Sequence, residues 1–303
     1  MRPATKALLT IHFCVLLWGF TAILGKLIAL PALPLVWWRI VIVLAALALV
    51  PRVWRSLRAL SPRIALIYAG IGVLVALHWL TFYGAIKLAN ASVAATCIAL
   101  ATPFTAIVEP WLTRSRFSPR DLLLGIAVLP GVALVVGGIP QSMRLGVAIG
   151  ALAALLVAVF GSLNKRFVHD GDPLMVTGLE LGAGLVALTV LAPVMPWIMS
   201  QLSGPLFALP SAHDAWLLLA LALACTLLPF TLSFVALRHM SAFSAQLAVN
   251  LEPVYAIVLA IVLLGEQREL TAQFYFGVAI ILLVVLAHPW FARPREVERV
   301  SAV

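Results

Sequence analysis

Two stretches of this 303-residue chain decide how it folds. Residues 91–103 read ASVAATCIALATP, and residues 241–253 read SAFSAQLAVNLEP, so both are rich in small and apolar side chains and both end in proline. The stretches align at a spacing of 150 residues, and residues 85–87 (AIK) match residues 236–238 (ALR) when one residue is inserted. The chain therefore contains an internal repeat, which indicates a fold made of two similar halves.

The composition around this repeat is typical of a membrane protein. Apolar residues make up 64% of the chain and charged residues only 10%, against roughly half and a quarter in ordinary globular proteins. Because so few charges cannot cover so much apolar surface in water, we expect lipid to be the solvent. The cysteines Cys14, Cys97 and Cys225 all lie in apolar stretches, so neither a disulfide framework nor a paired-cysteine metal site is expected.

Ten apolar segments are long enough to cross a bilayer, whose hydrocarbon core of about 30 Å needs roughly 17–25 helical residues. Prolines, glycines and charged residues separate the segments. The sequence thus predicts an all-α polytopic membrane protein with two five-helix repeats, residues 1–142 and residues 143–303, the second ending in a short cytoplasmic tail. The predicted helices are residues 7–29, 34–50, 63–84, 90–112, 119–139, 144–165, 173–198, 213–237, 241–264 and 269–291.

Basic residues are distributed unevenly between the two sides of such a protein. With the N-terminus in the cytoplasm, 15 of the 20 Lys and Arg residues fall on the cytoplasmic side and three (Lys87, Arg144 and Arg268) on the other. Lys26 and Arg39 lie within helices. The positive-inside rule therefore favours ten helices, both termini in the cytoplasm and, we predict, a bacterial inner membrane. The cytoplasmic set is Arg2, Lys6, Arg52, Arg55, Arg58, Arg63, Arg114, Arg116, Arg120, Lys165, Arg166, Arg238, Arg293, Arg295 and Arg299.

Five helices per repeat is an odd number, so the second copy must enter the membrane from the opposite side. Two halves of opposite orientation that pack face to face can open toward either side by exchanging conformations. This arrangement favours a carrier that works by alternating access, although gene duplication alone would leave the same repeat. Pro103 and Pro253 are predicted hinges of helices four and nine, because proline removes a backbone hydrogen bond and breaks the helix.

The repeat motifs resemble those of a known family. Residues 236–266, ALRHMSAFSAQLAVNLEPVYAIVLAIVLLGE, are similar to the second-half signature of EamA-type transporters in the drug/metabolite transporter superfamily. Residues 78–110, HWLTFYGAIKLANASVAATCIALATPFTAIVEP, resemble the first-half counterpart, and Trp18, Gly19 and Arg39 also fit. The resemblance implies ten helices in a 5+5 inverted arrangement. It also implies a cavity lined mainly by helices one, three, four, six, eight and nine, and movement of amino acids, other small metabolites or drugs, commonly outward.

One departure from the family pattern concerns an acidic residue. The family often has Gly-Glu after helix four, as Gly265 and Glu266 follow helix nine here. In this chain residues 113–116 read TRSR at that position. No paired acidic role is therefore expected in the first half.

Ionisable side chains within spans need a physical reason, because each costs about 2.5–3.5 kcal/mol to insert. Glu252, near the middle of helix nine, is interpreted either as a proton-coupling or substrate-ammonium site or as a structural acceptor of hydrogen bonds from neighbouring helices. Glu180 lies in a GxxxG pattern over residues 178–182, which favours close packing and a structural partner such as Arg39 or Lys26 over a coupling role. For Arg39 and Lys26 themselves, snorkelling to the interface is favoured, and binding of a substrate carboxylate is the alternative.

Other side chains are candidates for the wall of a solute cavity. His78, Trp79 and Tyr83 cluster on helix three, where they serve either as interfacial anchors or as a substrate wall with a titratable imidazole. Further substrate-binding candidates are spread over the remaining helices. They are Trp18, Thr96, Asn164, Phe230, Ser233, Gln246 and Asn250.

Other classes of protein fit the sequence less well. An intramembrane enzyme would need a nucleophile with its base or a metal cluster, and the sequence has no HExxH, GxSxG or GxxxxGK[ST] motif. A channel would need a selectivity filter or a ring of like charges, and neither is evident. We therefore predict a secondary transporter of small organic solutes such as amino acids or related metabolites, with export favoured. A uniporter, or a drug exporter without proton coupling, is the alternative. The expected partners are the solute, the lipid bilayer and, where transport is coupled, protons, with no enzymatic activity, cofactor, metal or nucleic acid.

Overall fold

The computed structural model describes residues 3–268 and 270–291, with side chains as far as residue 284. All regular elements in that part of the chain are helical. The first half contains α1 (Pro3–Leu27), α2 (Ala32–Ala48), α3 (Pro51–Ala59), α4 (Pro62–Leu88), α5 (Ala91–Cys97), α6 (Ala101–Thr113), α7 (Pro119–Ala127) and α8 (Leu129–Gly137). The second half contains α9 (Arg144–Phe167), α10 (Pro173–Leu191), α11 (Met195–Met199), α12 (Ala212–Ala222), α13 (Leu228–Leu237), α14 (Ala242–Val249), α15 (Glu252–Leu259) and α16 (Ala272–Phe291). Outside the described residues lie the predicted C-terminal tail and, from the predicted cytoplasmic set, Arg2, Arg293, Arg295 and Arg299.

A helix lies at each of the ten segments that were predicted to cross the membrane, and within the described residues eight of these helices are long and apolar enough to span it on their own. The second segment, α2, has only 17 residues and is bent by 91° against α3. The last segment, α16, has a described apolar part, Ala272–Val284, that is also short. By length and composition the described chain thus contains eight candidate spans, or nine if α2 and α3 form one. The eight are Pro3–Leu27, Pro62–Leu88, Ala91–Thr113, Pro119–Gly137, Gln141–Phe167, Pro173–Leu191, Ala212–Leu237 and Ala242–Leu264.

Close packing of α4 against α10 depends on two glycines. A Cβ atom on Gly72 would overlap the backbone oxygen of Glu180, and one on Gly184 would lie 2.8 Å from the Cβ of Ala76. By contrast, a Cβ on Gly182 would meet nothing within 4 Å. Of the two glycines in the GxxxG pattern, Gly182 makes no close helix contact, and a Cβ on Gly178 would be in ordinary contact with Leu47 and Val53. Glu180 and Gly184 are four residues apart and share the face of α10 that meets α4, whereas Gly182 lies on another face.

The repeat stretches form two helices that are broken in the middle. Between α5 and α6 the chain adopts one 3₁₀ turn, Ile98–Leu100, and α14 and α15 are separated by a turn at Asn250 and Leu251. Both breaks precede a proline, Pro103 or Pro253, which lacks the N–H that the carbonyl four residues earlier would accept. The breaks thus lie where the sequence predicts hinges, and hinge motion itself stays a prediction.

Candidate functional site

A cavity lies where the two halves meet. Its volume of about 130 Å³ is roughly ten times the space that a single water molecule requires. Side chains from α1, α4, the 3₁₀ turn after α5, α9, α13, α14 and α15 line it, as the family resemblance implies, and α2 adds Arg39. Nine of the predicted site residues are among its lining: Trp18, Arg39, His78, Trp79, Asn164, Phe230, Ser233, Gln246 and Glu252.

Arg39 is buried at the edge of this cavity, with 2% of its surface exposed. Its Nε donates to Thr226 Oγ1 at 2.5 Å and its Nη1 donates to the Tyr83 hydroxyl at 3.0 Å. The guanidinium carbon lies 3.9 Å from the centre of the Trp79 ring, an attractive cation–π geometry. The prediction that Arg39 snorkels to the interface is therefore wrong, because hydrogen bonds and an aromatic face inside the protein satisfy the guanidinium there.

Thr226 is held in place for this contact by an irregular turn. Residues Leu223–Leu227 form a π-helical turn, and the Thr226 hydroxyl donates to the carbonyl of Leu221, five residues earlier, at 2.6 Å. The hydroxyl oxygen remains an acceptor for Arg39. π-Turns are often found at functional sites, but no pattern in the sequence indicated this one.

Glu252 is the first residue of α15 and follows directly on the break at Asn250 and Leu251. Its side chain is 6% exposed and lines the cavity. The partial positive charge at a helix N-terminus favours a carboxylate at this position. Within the described chain Glu252 has no hydrogen-bond donor or ion-pair partner, so its interpretation as an acceptor for neighbouring helices finds no support there.

An aromatic wall of His78, Trp79, Phe160 and Phe230 lines part of the cavity, and the Trp79 ring of this wall packs on the Arg39 guanidinium. His78 and Trp79 are 9% and 7% exposed, so the interpretation as interfacial anchors is wrong for both. The Nδ1 of His78 is 2.8 Å from the Ala153 carbonyl, which can only accept, so this nitrogen carries the proton. The His78 ring lies 5.3 Å from that of Phe160, and the Trp79 ring lies 5.8 Å from that of Phe230. The wall gives the cavity a largely apolar surface on this side.

Three predicted substrate-binding residues do not line the cavity. Tyr83 is fully buried and reaches it only through its hydrogen bond from Arg39. The Thr96 hydroxyl donates to the carbonyl of Ser92 at 2.7 Å, within its own helix. Asn250 Nδ2 donates to Thr102 Oγ1 at 2.6 Å, where the two broken helices cross. These polar groups are used in packing between or within helices.

The other predicted charged residues, Glu180 and Lys26, lie away from the cavity. Glu180 is fully buried, and its partner is Asn164, whose Nδ2 lies 3.5 Å from Glu180 Oε2. The predicted pairing of Glu180 with Arg39 or Lys26 is therefore wrong. Lys26 is exposed near the end of α1, and Arg39 binds Thr226 and Tyr83 instead.

A carboxylate missing from the predicted site is Glu109. It lies in the last turns of α6 and accepts hydrogen bonds from the backbone at the start of α14, while Glu266 does the same for the start of α5. The expectation that the first half has no acidic counterpart of Glu266 is therefore wrong. Its counterpart lies on the helix, one turn before residues 113–116, rather than in the loop after it.

A family model described as the EamA-like transporter family matches the chain twice, over residues 5–137 and residues 144–287. The chain belongs to the EamA-like transporter family. It is thus a multi-pass membrane protein of a transporter family within the drug/metabolite transporter superfamily, and its two-repeat architecture fits that family.

Comparison with solved structures gives the same fold. A crystal structure described only as that of a protein is 17% identical to this EamA-like chain, with a TM-score of 0.68. The alignment covers 95% of this chain and 98% of the other. At this identity the likeness shows the fold alone. No curated protein sequence matches the chain.

Proposed function

We propose that this EamA-like protein is a secondary transporter that exports small zwitterionic solutes, such as amino acids or related metabolites, across a bacterial inner membrane. One observation carries the proposal: Arg39 and Glu252 line the same buried cavity and form no ion pair with each other. Two buried opposite charges that are not in contact are costly. A solute with a carboxylate for Arg39 and an ammonium group for Glu252 would neutralise both.

The rest of the cavity supports a small solute with an apolar part. Arginine is suited to a carboxylate because its planar guanidinium presents several donors in a fixed geometry. The rings of Trp79, Phe160 and Phe230 offer apolar surface to the remainder of the solute. His78, Asn164 and the other lining polar groups would then set specificity through hydrogen bonds.

Alternating access is the proposed mechanism. The ten predicted spans form two inverted halves, residues 1–142 and residues 143–303, with both termini in the cytoplasm, and the halves rock around the cavity with Pro103 and Pro253 near the hinges. Because Arg39 belongs to the first half and Glu252 to the second, a solute that bridges them binds best when the halves are close. Such differential affinity is what a ligand needs to drive a conformational change.

Glu252 also supplies a route to coupling. A single carboxylate can hold a proton or pair with an ammonium group, but it cannot do both at once. Competition between the two at one site would exchange solute for protons as the halves alternate. A facilitator without coupling would use Glu252 for binding only.

Counterflow in proteoliposomes tests the proposal. Vesicles loaded with unlabelled amino acids should accumulate labelled amino acid with saturable kinetics, while the N-acetylated acid and the decarboxylated amine, each with one charge removed, should exchange at least about tenfold more slowly. Equal exchange of all three compounds would contradict a zwitterion site. Ohmic conductance in a planar bilayer would indicate a pore rather than a carrier.

A further inference from the structure

The two broken helices are fastened to each other at both ends by carboxylates. At one end, Glu109 on α6 accepts a hydrogen bond from the backbone N–H of Ala242 at 2.9 Å and another from that of Phe243 at 2.8 Å. These N–H groups are the first of α14. The carboxylate is 5% exposed, so the contact is shielded from water.

The other end carries the same contact with the roles of the halves reversed. Glu266, which follows the helix of α14 and α15, accepts from the backbone N–H groups of Ala91 and Ser92, both at 3.0 Å. The Ser92 hydroxyl adds a third bond at 2.6 Å. Ala91 and Ser92 are the first residues of α5, and Glu266 is 2% exposed. Each half thus caps the helix N-terminus of the other half.

The two caps lie at opposite ends of an antiparallel helix pair. The end of the first broken helix meets the start of the second at Glu109, and the end of the second meets the start of the first at Glu266. Between them, Asn250 donates to Thr102 at the breaks. Among the described residues, polar contacts therefore join the pair in the middle and at each end.

A local side-chain cap accepts a hydrogen bond from one backbone N–H group near the start of each of these helices. The side chain of Asn90 accepts from the N–H of Val93 at 2.9 Å, and Ser241 accepts from that of Ser244 at 3.0 Å. The first two N–H groups of each helix are left to the carboxylate of the other half. Such bonds are charge-assisted and are strengthened by the positive end of the helix dipole.

We propose that Glu109 and Glu266 are positioning residues of the transport cycle, each of which holds the pathway closed at its own end of the helix pair. The inference rests on the proposed alternating access. If the halves rock about the middle contact, opening one end must separate a carboxylate from its helix start, while the cap at the other end stays formed. The relative strength of the two caps then sets the relative populations of the two open states.

Spin-label distances test this balance without any solute. Labels at Arg116 and His239 report the Glu109 end, and labels at Ala89 and Gln267 report the Glu266 end. Glutamine in place of glutamate keeps the size and one acceptor oxygen but removes the charge. We expect Glu109→Gln to raise the open population at its own end about tenfold, and Glu266→Gln to do so at the other end. The double variant should show the native ratio between the open populations at the two ends.

A carboxylate cap within one half is the matched control. Asp172 Oδ1 accepts from the N–H groups of Leu174 and Met175 at the start of α10, so Asp172→Asn removes a similar helix cap outside the two broken helices. Because Asp172 Oδ2 also pairs with Arg52 of the other half, Arg52→Gln is measured beside it to account for the loss of that exposed ion pair. Both variants should leave the two distance distributions unchanged. If Glu109→Gln and Glu266→Gln shift the population in the same direction, or shift it no more than Asp172→Asn does, the inference is overturned.

Proline variants cover the case in which a glutamine variant fails to fold. Ala242 and Ala91 are the first residues of their helices, where proline is tolerated, and Ala242→Pro or Ala91→Pro deletes one N–H donor to the carboxylate. Each proline variant should raise the open population at its own end, as the glutamine variant there does, but by a smaller amount. The absence of these shifts would contradict the inference. If the native protein shows a single closed state at both ends under all conditions, alternating access itself fails. If both open states occur but no variant changes their populations, the proposed role of the caps is wrong, whereas alternating access is not contradicted.

Discussion

Arg39 and Glu252 face one cavity from different halves of the chain, yet no ion pair joins them. Thr226 and Tyr83 hold Arg39, whereas Glu252 lies at the start of α15 and has no hydrogen-bond or ion-pair partner among the described residues. Since the two charges belong to opposite halves, their separation depends on how the halves are arranged. A solute that bridges them would couple its own binding to that arrangement.

Replacing Glu252 by Gln should remove the pH dependence of transport while the fold is kept. The amide has the same size but cannot titrate, so the rate of exchange in vesicles should become flat across neutral pH. Glu252→Asp, which keeps the carboxylate, is the control and should remain pH-dependent. A native pH profile in the Gln variant would show that this carboxylate does not couple transport to protons.

Replacing Arg39 by Lys should weaken solute binding although the charge is kept. A lysine ammonium cannot reach Thr226 and Tyr83 together or reproduce the flat contact with Trp79. We expect KM to rise about tenfold and the free energy of unfolding to fall by about 1–3 kcal/mol. Arg55→Lys, on the exposed surface of α3, should change neither quantity. An unchanged KM for Arg39→Lys would remove Arg39 from the solute site.

Thr226→Val tests the support of Arg39 separately from its charge. Valine matches threonine in shape but offers no acceptor to the Arg39 Nε atom and no donor to the Leu221 carbonyl. Leaving these buried groups unpaired should cost about 1–3 kcal/mol of folding free energy and should raise KM. Thr81→Val is the comparison, because the Thr81 hydroxyl bonds only to its own helix, at the carbonyls of Leu77 and His78. Equal effects of the two variants on KM would argue against a supporting role.

Two glycine variants test the contact between α4 and α10. Gly72→Ala places a methyl group against the backbone of Glu180, which cannot give way as a side chain can, so the helices must separate. Overpacking of this kind costs about 1–3 kcal/mol and should lower the thermal midpoint in detergent. Gly182→Ala points into open space and should be neutral or slightly stabilising. If both variants had the same midpoint, the close approach at Gly72 would be contradicted.

The location of a side chain is best predicted from the sequence where the chemistry of the residue allows few environments in a membrane. Glu252 was expected near the middle of a span, and His78 and Trp79 were candidates for a substrate wall as well as for interfacial anchors; the structure brings all three to one cavity. Arg39 was predicted at the interface because an isolated arginine in lipid must snorkel. The partners that keep it inside, Thr226 and Tyr83, lie 187 and 44 residues away in the sequence and belong to other helices.

Membrane location, helical class and the repeat follow from the sequence alone, because an apolar chain in lipid must bond every backbone group within its own helices. Which face of each helix meets which neighbour was decided only by the tertiary structure. In the tertiary structure, Gly72 and Gly184, rather than Gly182, lie at the close contact between α4 and α10, and Glu109 lies at the start of α14. Lipid tails are as apolar as leucine, so hydropathy does not distinguish a lipid-facing side chain from a buried one, and small residues and polar contacts between distant segments fix the packing instead.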